Sequence, residues 1–467
     1  MAHEDPSTEA TQKLPKERMF RKKSIEFLLL LMLATHQLAG EDKDEVIYFD
    51  AAASLPINQE ALREFMTVAQ LDGNSSGINP HAKHLEKIEK QAAQVVADKI
   101  NGQAHQIHFC SSATMANNMA ILGVARKNPG CHLITSKIEH KSVLNVFRHL
   151  EKNGHEVTYL NVDRRGSVDL EHLRRSIRGN TKLISVQMLN SETGTLQDLK
   201  TIGKISRHHK ILLHTDAAQA FGKCDIDVDD IGIDLVTMAG HKIGAPKGIA
   251  ALYIKDSSRL SPILFGSGDD FFPGSKPTEL IAAFAVAVKN FQWNRRRIAE
   301  NFAALGTELA KIDKVYIIGH RLPPEKMIVA GIMLVSVDGV LLVDVLEGMR
   351  NYSFSAGCSC GGQERSNVLE AIDPEDKLPS CIIRISFSDT QEPQQLIDFA
   401  QQLKRVVEQL RREKSITKGC QQDPAASAAS TTSSYHHQPL SPDTAIKILA
   451  EALKERKPPG QSDVPKI

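Results

Sequence analysis

The chain has 467 residues, with 57 lysines and arginines against 56 aspartates and glutamates and a formal net charge of +1. That length supports a large core with a second subdomain, and the near-neutral balance argues against bulk binding to nucleic acid or a membrane surface. Seven cysteines without a CxxC pair fit a reducing compartment and inert or catalytic thiols better than a disulfide framework or a zinc site.

Residues 1–45 read as an N-terminal extension. Met1 to Lys16 is polar, and Lys16-Glu17-Arg18 and Arg21-Lys22-Lys23 precede an apolar run from Phe27 to Ala34. The run is too short to span a bilayer and predicts an amphipathic or partner-packing helix. Ile47 to Ala53, IYFDAAA, predicts a short strand entering a turn. Gly73-Asn74-Ser75-Ser76 predicts a loop able to shape the mouth of a site, and Leu85 to Ile100 has helical spacing that stops at Asn101-Gly102. His108 to Thr114, HFCSSAT, is a strand running into small and hydroxyl residues, followed by a helix from Met115 to Ala125. A hydroxyl-rich turn at a helix N-terminus is a ready anion site; it is also the form of an ordinary Ser/Thr cap.

His132 to Thr135 predicts another strand, which leads through SKIE to His140. Leu183 to Leu189 predicts a buried strand leading into Asn190-Ser191-Glu192-Thr193-Gly194. The apolar run Ile211-Leu212-Leu213 ends in His214-Thr215-Asp216, which places an acid at a strand's C-terminal end. Ile233 to Met238 ends in Gly240-His241-Lys242, and Gly244, Pro246 and Gly248 forbid a regular helix and hold the lysine on a turn. The alternation of strands and helices up to Gly248 predicts an α/β domain with a mostly parallel sheet and a ligand beyond the strands' carboxyl ends. An acid and a lysine at neighbouring strand ends suit pyridoxal phosphate: the amine condenses with the cofactor aldehyde, and the acid keeps the ring nitrogen protonated. An edge aspartate and a solvated lysine would be the simpler reading of an isolated pair; the strings HTDAAQ and GHKIGAPKG shift the balance.

Further on, Phe291 to Lys311 predicts a long helix, Val315 to Ile318 and Ile332 to Val337 predict strands, and Leu341 to Arg350 predicts a helix. Phe354 to Gly362, FSAGCSCGG, is a glycine-flanked loop with Cys358 and Cys360. Cys381 reads as core, just before a strand from Ile382 to Phe387 that carries Arg384. A guanidinium amid apolar residues needs a partner, and its fork matches a carboxylate, of a substrate or of a structural ion pair. Gln394 to Lys414 predicts a closing helix. The tail has an Ala/Ser/Thr-rich linker at 425–434 and a short helix starting at Ser441-Pro442.

From about Val46 to about Leu403 the chain resembles the cysteine desulfurases and selenocysteine lyases, in the class V aminotransferase group of fold-type I pyridoxal-phosphate enzymes. The resemblance implies a large, mostly parallel-sheet cofactor domain over 46–290, with 46–65 belonging partly to a smaller α+β C-terminal domain over 291–414; 415–467 is then a tail. It implies that Lys242 is the Schiff-base lysine, Asp216 the partner of the pyridinium nitrogen and Gln219 a hydrogen-bond partner of the phenolic oxygen. Ala113, Thr114 and His241 would hold the phosphate, and Ser275 would reach the phosphate of a partner subunit. His140 would stack on the ring and move protons, Asn190 would lie near the ring and the substrate carboxylate, and Arg384 would anchor that carboxylate. Cys360 falls at the nucleophile position, and Cys358 where relatives carry a small residue. The chain departs from the family pattern at Ser112, Met115, Ala239 and Phe272, the last two in place of a phosphate-binding hydroxyl residue and an arginine.

The implied enzyme is a cytoplasmic homodimer without metal that converts L-cysteine to L-alanine. It would leave a persulfide on Cys360 for a sulfur acceptor such as an iron–sulfur scaffold protein. Two rivals are a selenocysteine lyase or other β-eliminating enzyme on the same fold, and a weakly active or inactive cofactor-binding scaffold.

Overall fold

The computed structural model describes residues 46–319, 330–357, 365–379 and 381–419. The N-terminal extension, Cys358 and Cys360, and the short helix expected in the tail lie outside them. Thirteen strands are described: β1 (Ile47–Tyr48), β2 (Ile107–Cys110), β3 (His132–Ser136), β4 (Glu156–Leu160), β5 (Thr181–Ser185), β6 (Leu212–Asp216), β7 (Leu235–Ala239), β8 (Ala250–Ile254), β9 (Val315–Ile318), β10 (Ile332–Val337), β11 (Tyr352–Ser353), β12 (Ser355–Ala356) and β13 (Cys381–Ser386).

Seven of them form one sheet in the order β2-β8-β7-β6-β5-β3-β4. The pairs from β7 through β6, β5 and β3 to β4 are parallel, and β8 is antiparallel to both β7 and β2. Every residue of β3, β6, β7 and β8 is buried, as a sheet covered on both faces requires. Successive side chains enter opposite cores. Leu212, Leu235 and Leu252 join Val124 and Phe147 on one face, and Leu213, Val236 and Ala251 join Ala220 and Phe284 on the other. The expected mostly parallel α/β architecture is the one observed. Among the described residues, those from Tyr48 onward belong to one unit. Its second sheet, β12-β13-β10-β9, is antiparallel and sets Arg384 opposite Leu334 and Ser355.

Several element bounds differ from the sequence expectation. The helix expected over Phe291 to Lys311 is Arg295–Leu309, and a separate helix, Thr278–Asn290, precedes it. Phe291 adopts extended backbone, and Asn294 caps the second helix by accepting from the Arg297 N–H. The helix expected from Leu85 begins at Pro80, capped by Asn79 with proline in the first turn, and the one expected from Met115 begins at Ala113. The strand expected over Leu183 to Leu189 is Thr181–Ser185. Among the described residues no helix is long and apolar enough to cross a membrane.

Candidate active site

The parallel strands point their carboxyl ends at one region, and His140, Asn190, Asp216 and Lys242 follow or close β3, β5, β6 and β7 there. Asp216 closes β6, with 8% of its surface exposed. Its Oδ1 accepts from the Ala218 N–H at 2.9 Å and its Oδ2 from Asn117 Nδ2 at 2.8 Å. The same Nδ2 donates to Ser142 Oγ at 2.9 Å, which lies 2.8 Å from His140 Nδ1. The Ser142 N–H also donates to Nδ1, because His140 caps the helix Lys141–Lys152. With Nδ1 accepting, the neutral ring carries its proton on Nε2. Desolvation lowers the His140 pKa even though the residue keeps appreciable exposure; Asp216 opposes the shift, and Lys242 and Lys141 add to it. One chain of hydrogen bonds therefore links the acid to the imidazole. Sequence reasoning missed Asn117, whose signal was a polar side chain on the buried face of the helix Ala113–Lys127.

Lys242 follows β7 on a turn closed by Ile243 N–H to Gly240 O and Ala245 N–H to Gly240 O. A Cβ on Gly240 would sit 2.8 Å from Ile249 O, and Gly244 has φ +80, so both positions demand glycine. Desolvation pushes the Lys242 amine down to about 8; Asp216 and Asp50 oppose this and Arg384 adds to it. Burial also lowers His241, whose carbonyl accepts from the Leu55 N–H. His214, two residues before Asp216, is pushed down to about 4 by burial and bonds Ser185 Oγ and Thr237 Oγ1, so it belongs to the core. The Thr237 hydroxyl is thereby engaged within the core.

Gln219 donates Nε2 to Ala52 O at 2.7 Å, and its buried Oε1 has no partner among the described residues. Asn117 Oδ1 and Arg384 Nε are left in the same state. Ser112 caps the helix Ala113–Lys127 through the Met115 N–H, so the first-turn amides of Ala113 and Thr114 point out of the helix end as an anion site would require. An open cavity of ≈ 400 Å³ has Thr114, His140 and Ser142 on its rim; Asp216 and Lys242 do not line it. Asn190 is fully buried; its Oδ1 accepts from the Glu192 and Thr193 N–H groups and its Nδ2 donates to Ile138 O. It shapes the turn whose Ser191 carbonyl accepts from Arg384 Nη1 at 3.1 Å. Arg384 also pairs with Asp50, at 2.6 Å. Sequence reasoning gave Asp50 no role, although it sits in the IYFDAAA string.

Ser275 accepts from Asn74 Nδ2 at 3.1 Å within its own chain, and Cys360 lies outside the described residues. The Phe272 departure has a clear local cause. Asp269 Oδ1 accepts from the Phe271 and Phe272 N–H groups, and both phenylalanines are buried with Leu260 and Met119. Against desolvation, His108 and those amides hold the Asp269 carboxyl at about 2.

A buried carboxyl held by an amide, a lysine with a depressed pKa, two open helix amides and unpartnered polar atoms around them fit a pyridoxal-phosphate group, at Asp216, Lys242, Gln219 and the Ala113–Thr114 turn. Residues 47–396 match the sequence profile described as Aminotransferase class-V. The cysteine desulfurase IscS of Pseudoalteromonas translucida is 35% identical over 73% of this chain and 87% of its own length. The mitochondrial cysteine desulfurase of Candida albicans is 36% identical over 72% of each. A solved structure titled SspA in complex with cysteine has 33% identity and a TM-score of 0.67, covering 74% of this chain and all of that one. The chain therefore belongs to the aminotransferase class-V family of pyridoxal-phosphate enzymes.

Proposed function

We propose that this protein is a cysteine desulfurase that turns L-cysteine into L-alanine and leaves the sulfur as a persulfide on Cys360. The observation that supports this reading is that Asp216 and Arg384 both lie within electrostatic reach of the Lys242 amine, as a ring-nitrogen partner and a carboxylate anchor around a proton acceptor would need to. The curated relatives named as cysteine desulfurases support the substrate. Pyridoxal phosphate, when bound, supplies a ring that stabilises negative charge at the substrate Cα. Asp216 would face the ring nitrogen and help hold its proton, and Asn117 fixes the Asp216 carboxylate by donating to Oδ2. Lys242 Nζ takes the Cα proton. His140, fixed by Ser142, exchanges the thiol proton. Arg384 fixes the α-carboxylate, and Asn190 shapes the turn beside it. Gln219 would hold the phenolic oxygen; Ala113, Thr114 and His241 would hold the phosphate, and Ser275 would reach the phosphate of a second copy. The Cys360 thiolate attacks the substrate sulfur; an S–S bond forms, the C–S bond breaks, and its electron pair stays with the carbon that becomes alanine.

We assign 46–290 to a cofactor domain, with 46–65 belonging partly to a smaller domain over 291–414, a reading supported by the separate seven-stranded and four-stranded sheets and by the pairing of β1 with β11. A homodimer, a protein sulfur acceptor and a cytoplasmic setting complete the proposal. Free thiols at Cys110, Cys131, Cys224 and Cys381 agree with a reducing compartment. Anaerobic assay of alanine and sulfide from cysteine on the purified protein tests the function; no alanine from a cofactor-loaded sample would overturn it.

Arg384→Lys is expected to raise the cysteine KM and to cost about 2–4 kcal/mol in kcat/KM, because a point charge replaces a fork. Unchanged kinetics would make Arg384 a structural residue. Capture of the cofactor by cofactor-free protein is expected to follow the neutral Lys242 amine. That form is scarce below its pKa of about 8, so the capture rate rises through that pH and levels off above it. A stopped-flow rate that keeps climbing towards pH 10.5, the ordinary lysine value, would show that desolvation does not tune this amine.

A further inference from the structure

Arg384 is already engaged by its own chain. Nη2 donates to Asp50 Oδ1 at 2.6 Å and to Ser355 Oγ at 2.9 Å, and Nη1 donates to Ser191 O at 3.1 Å. Asp50 Oδ2 in turn accepts from Ser355 Oγ at 2.8 Å. A guanidinium nitrogen of this kind has two hydrogens, so both Nη2 hydrogens are taken. A carboxylate bound by two parallel bonds needs either Nη1 with Nη2 or Nε with Nη2. Nη2 belongs to both pairs, while Nε is buried without a partner among the described residues. The fork is half open, and its other half is closed by an internal carboxylate. The fold builds this deliberately: Asp50 bridges Ser386 at the end of β13, and Ser355 on β12 lies directly across from Arg384. The two charged side chains are 14% and 18% exposed, so they are not a screened surface pair.

We propose that Asp50 is a resident counter-carboxylate that occupies Arg384 Nη2 until the substrate α-carboxylate displaces it, and so sets how tightly this site takes carboxylates. The proposal rests on the reading of Arg384 as the carboxylate anchor. Asp50 acts through Arg384 and is a positioning residue. With Asp50 in place the guanidinium is neutralised and simple anions gain little by lodging on it; the cost is a higher substrate KM.

Asp50→Asn keeps the shape and one acceptor but removes the charge. Asp50 is also within electrostatic reach of the Lys242 amine, so turnover alone would not isolate its effect on Arg384. The probe is propionate, a carboxylate without an amine, titrated by calorimetry into the cofactor-loaded protein. Asp50→Asn is expected to bind propionate about tenfold more tightly, the scale of one charged hydrogen bond, and to lower the cysteine KM. Ser355→Ala frees one Nη2 hydrogen and keeps the charge, so it should shift propionate the same way by less; it serves as the test if Asp50→Asn does not fold. Unchanged or weaker propionate binding in these variants, with Arg384→Ala abolishing it, overturns the counter-carboxylate role alone. If Arg384→Ala leaves propionate binding and the cysteine KM untouched, the anchor reading itself falls, and the role of Asp50 with it.

Discussion

Lys242→Ala is expected to abolish cysteine turnover and the borohydride-stable attachment of cofactor to the chain. Loss of a general base alone lowers rates by roughly 10²–10⁴-fold, and losing the covalent link to the cofactor adds to that. The structure supports this sharply local effect. Lys242 sits on a turn whose bonds all return to Gly240, and neighbouring backbone from Leu55 and Asn58 ties into His241 O and Gly244 O, so no adjacent residue can take its place. One other amine is close enough to matter. Lys223 is 1% exposed, its Nζ lies 5.0 Å from the centre of the Trp293 ring, and desolvation, with Lys242 adding, lowers its pKa to about 7. Peptide mapping after borohydride reduction of Lys242→Ala decides the point. Unlabelled peptides are the expected result. Label on any lysine, with Lys223 the one to inspect first, would overturn the assignment of Lys242 as the sole attachment point.

The two ends of this arrangement were readable from the sequence because short apolar runs force strands, and strands deliver whatever follows them to the sheet's carboxyl edge. That logic placed Asp216 and Lys242 correctly from HTD and GHK alone. It could not pair residues far apart. Arg384 was expected to meet a carboxylate, yet its internal partner Asp50 is 334 positions away, and only the bridge to Ser386 and the register with Ser355 bring them together. Asn117 was missed for a related reason: its function lies in reaching Asp216 and Ser142 from a helix that otherwise reads as apolar filler. The start of the helix expected from Phe291 was placed early because apolar residues continue through Trp293, while the start is fixed by the Asn294 cap, beside the packing of Trp293 on Lys223. Ser275 shows the opposite limit, since its bond to Asn74 places it in its own chain and its proposed role needs a second copy.

Cys360→Ser is expected to lose persulfide formation and sulfide release while still binding cofactor and still shifting its absorbance when cysteine is added. The cysteine lies outside the described residues, but the flanks of its loop do not. On one side Gly357 N–H donates to Ile382 O at 2.8 Å, and a Cβ there would meet Ile382 Cγ2 at 2.4 Å, so glycine is required where the chain leaves β12. On the other, Ser366 donates to Glu192 Oε2 at 2.6 Å and caps the helix Asn367–Ile372, while Asn367 Nδ2 donates to the carbonyls of Lys137 and Glu139. One anchor therefore adjoins the strand of Arg384, and the other ties to the turn of Asn190 and the segment leading into His140. Cys360 is three residues from Gly357, within about 10 Å of chain, which bounds the volume its sulfur can sample. Cys358 is one residue from the same anchor and so has far less reach, so Cys358→Ser is expected to keep most activity and at most to alter persulfide lifetime. Mass spectrometry of the alkylated loop after one turnover separates the two thiols. If the added sulfur appears first at Cys358 and Cys360→Ser still turns over, the nucleophile is Cys358 and the family alignment of this loop is displaced by two residues.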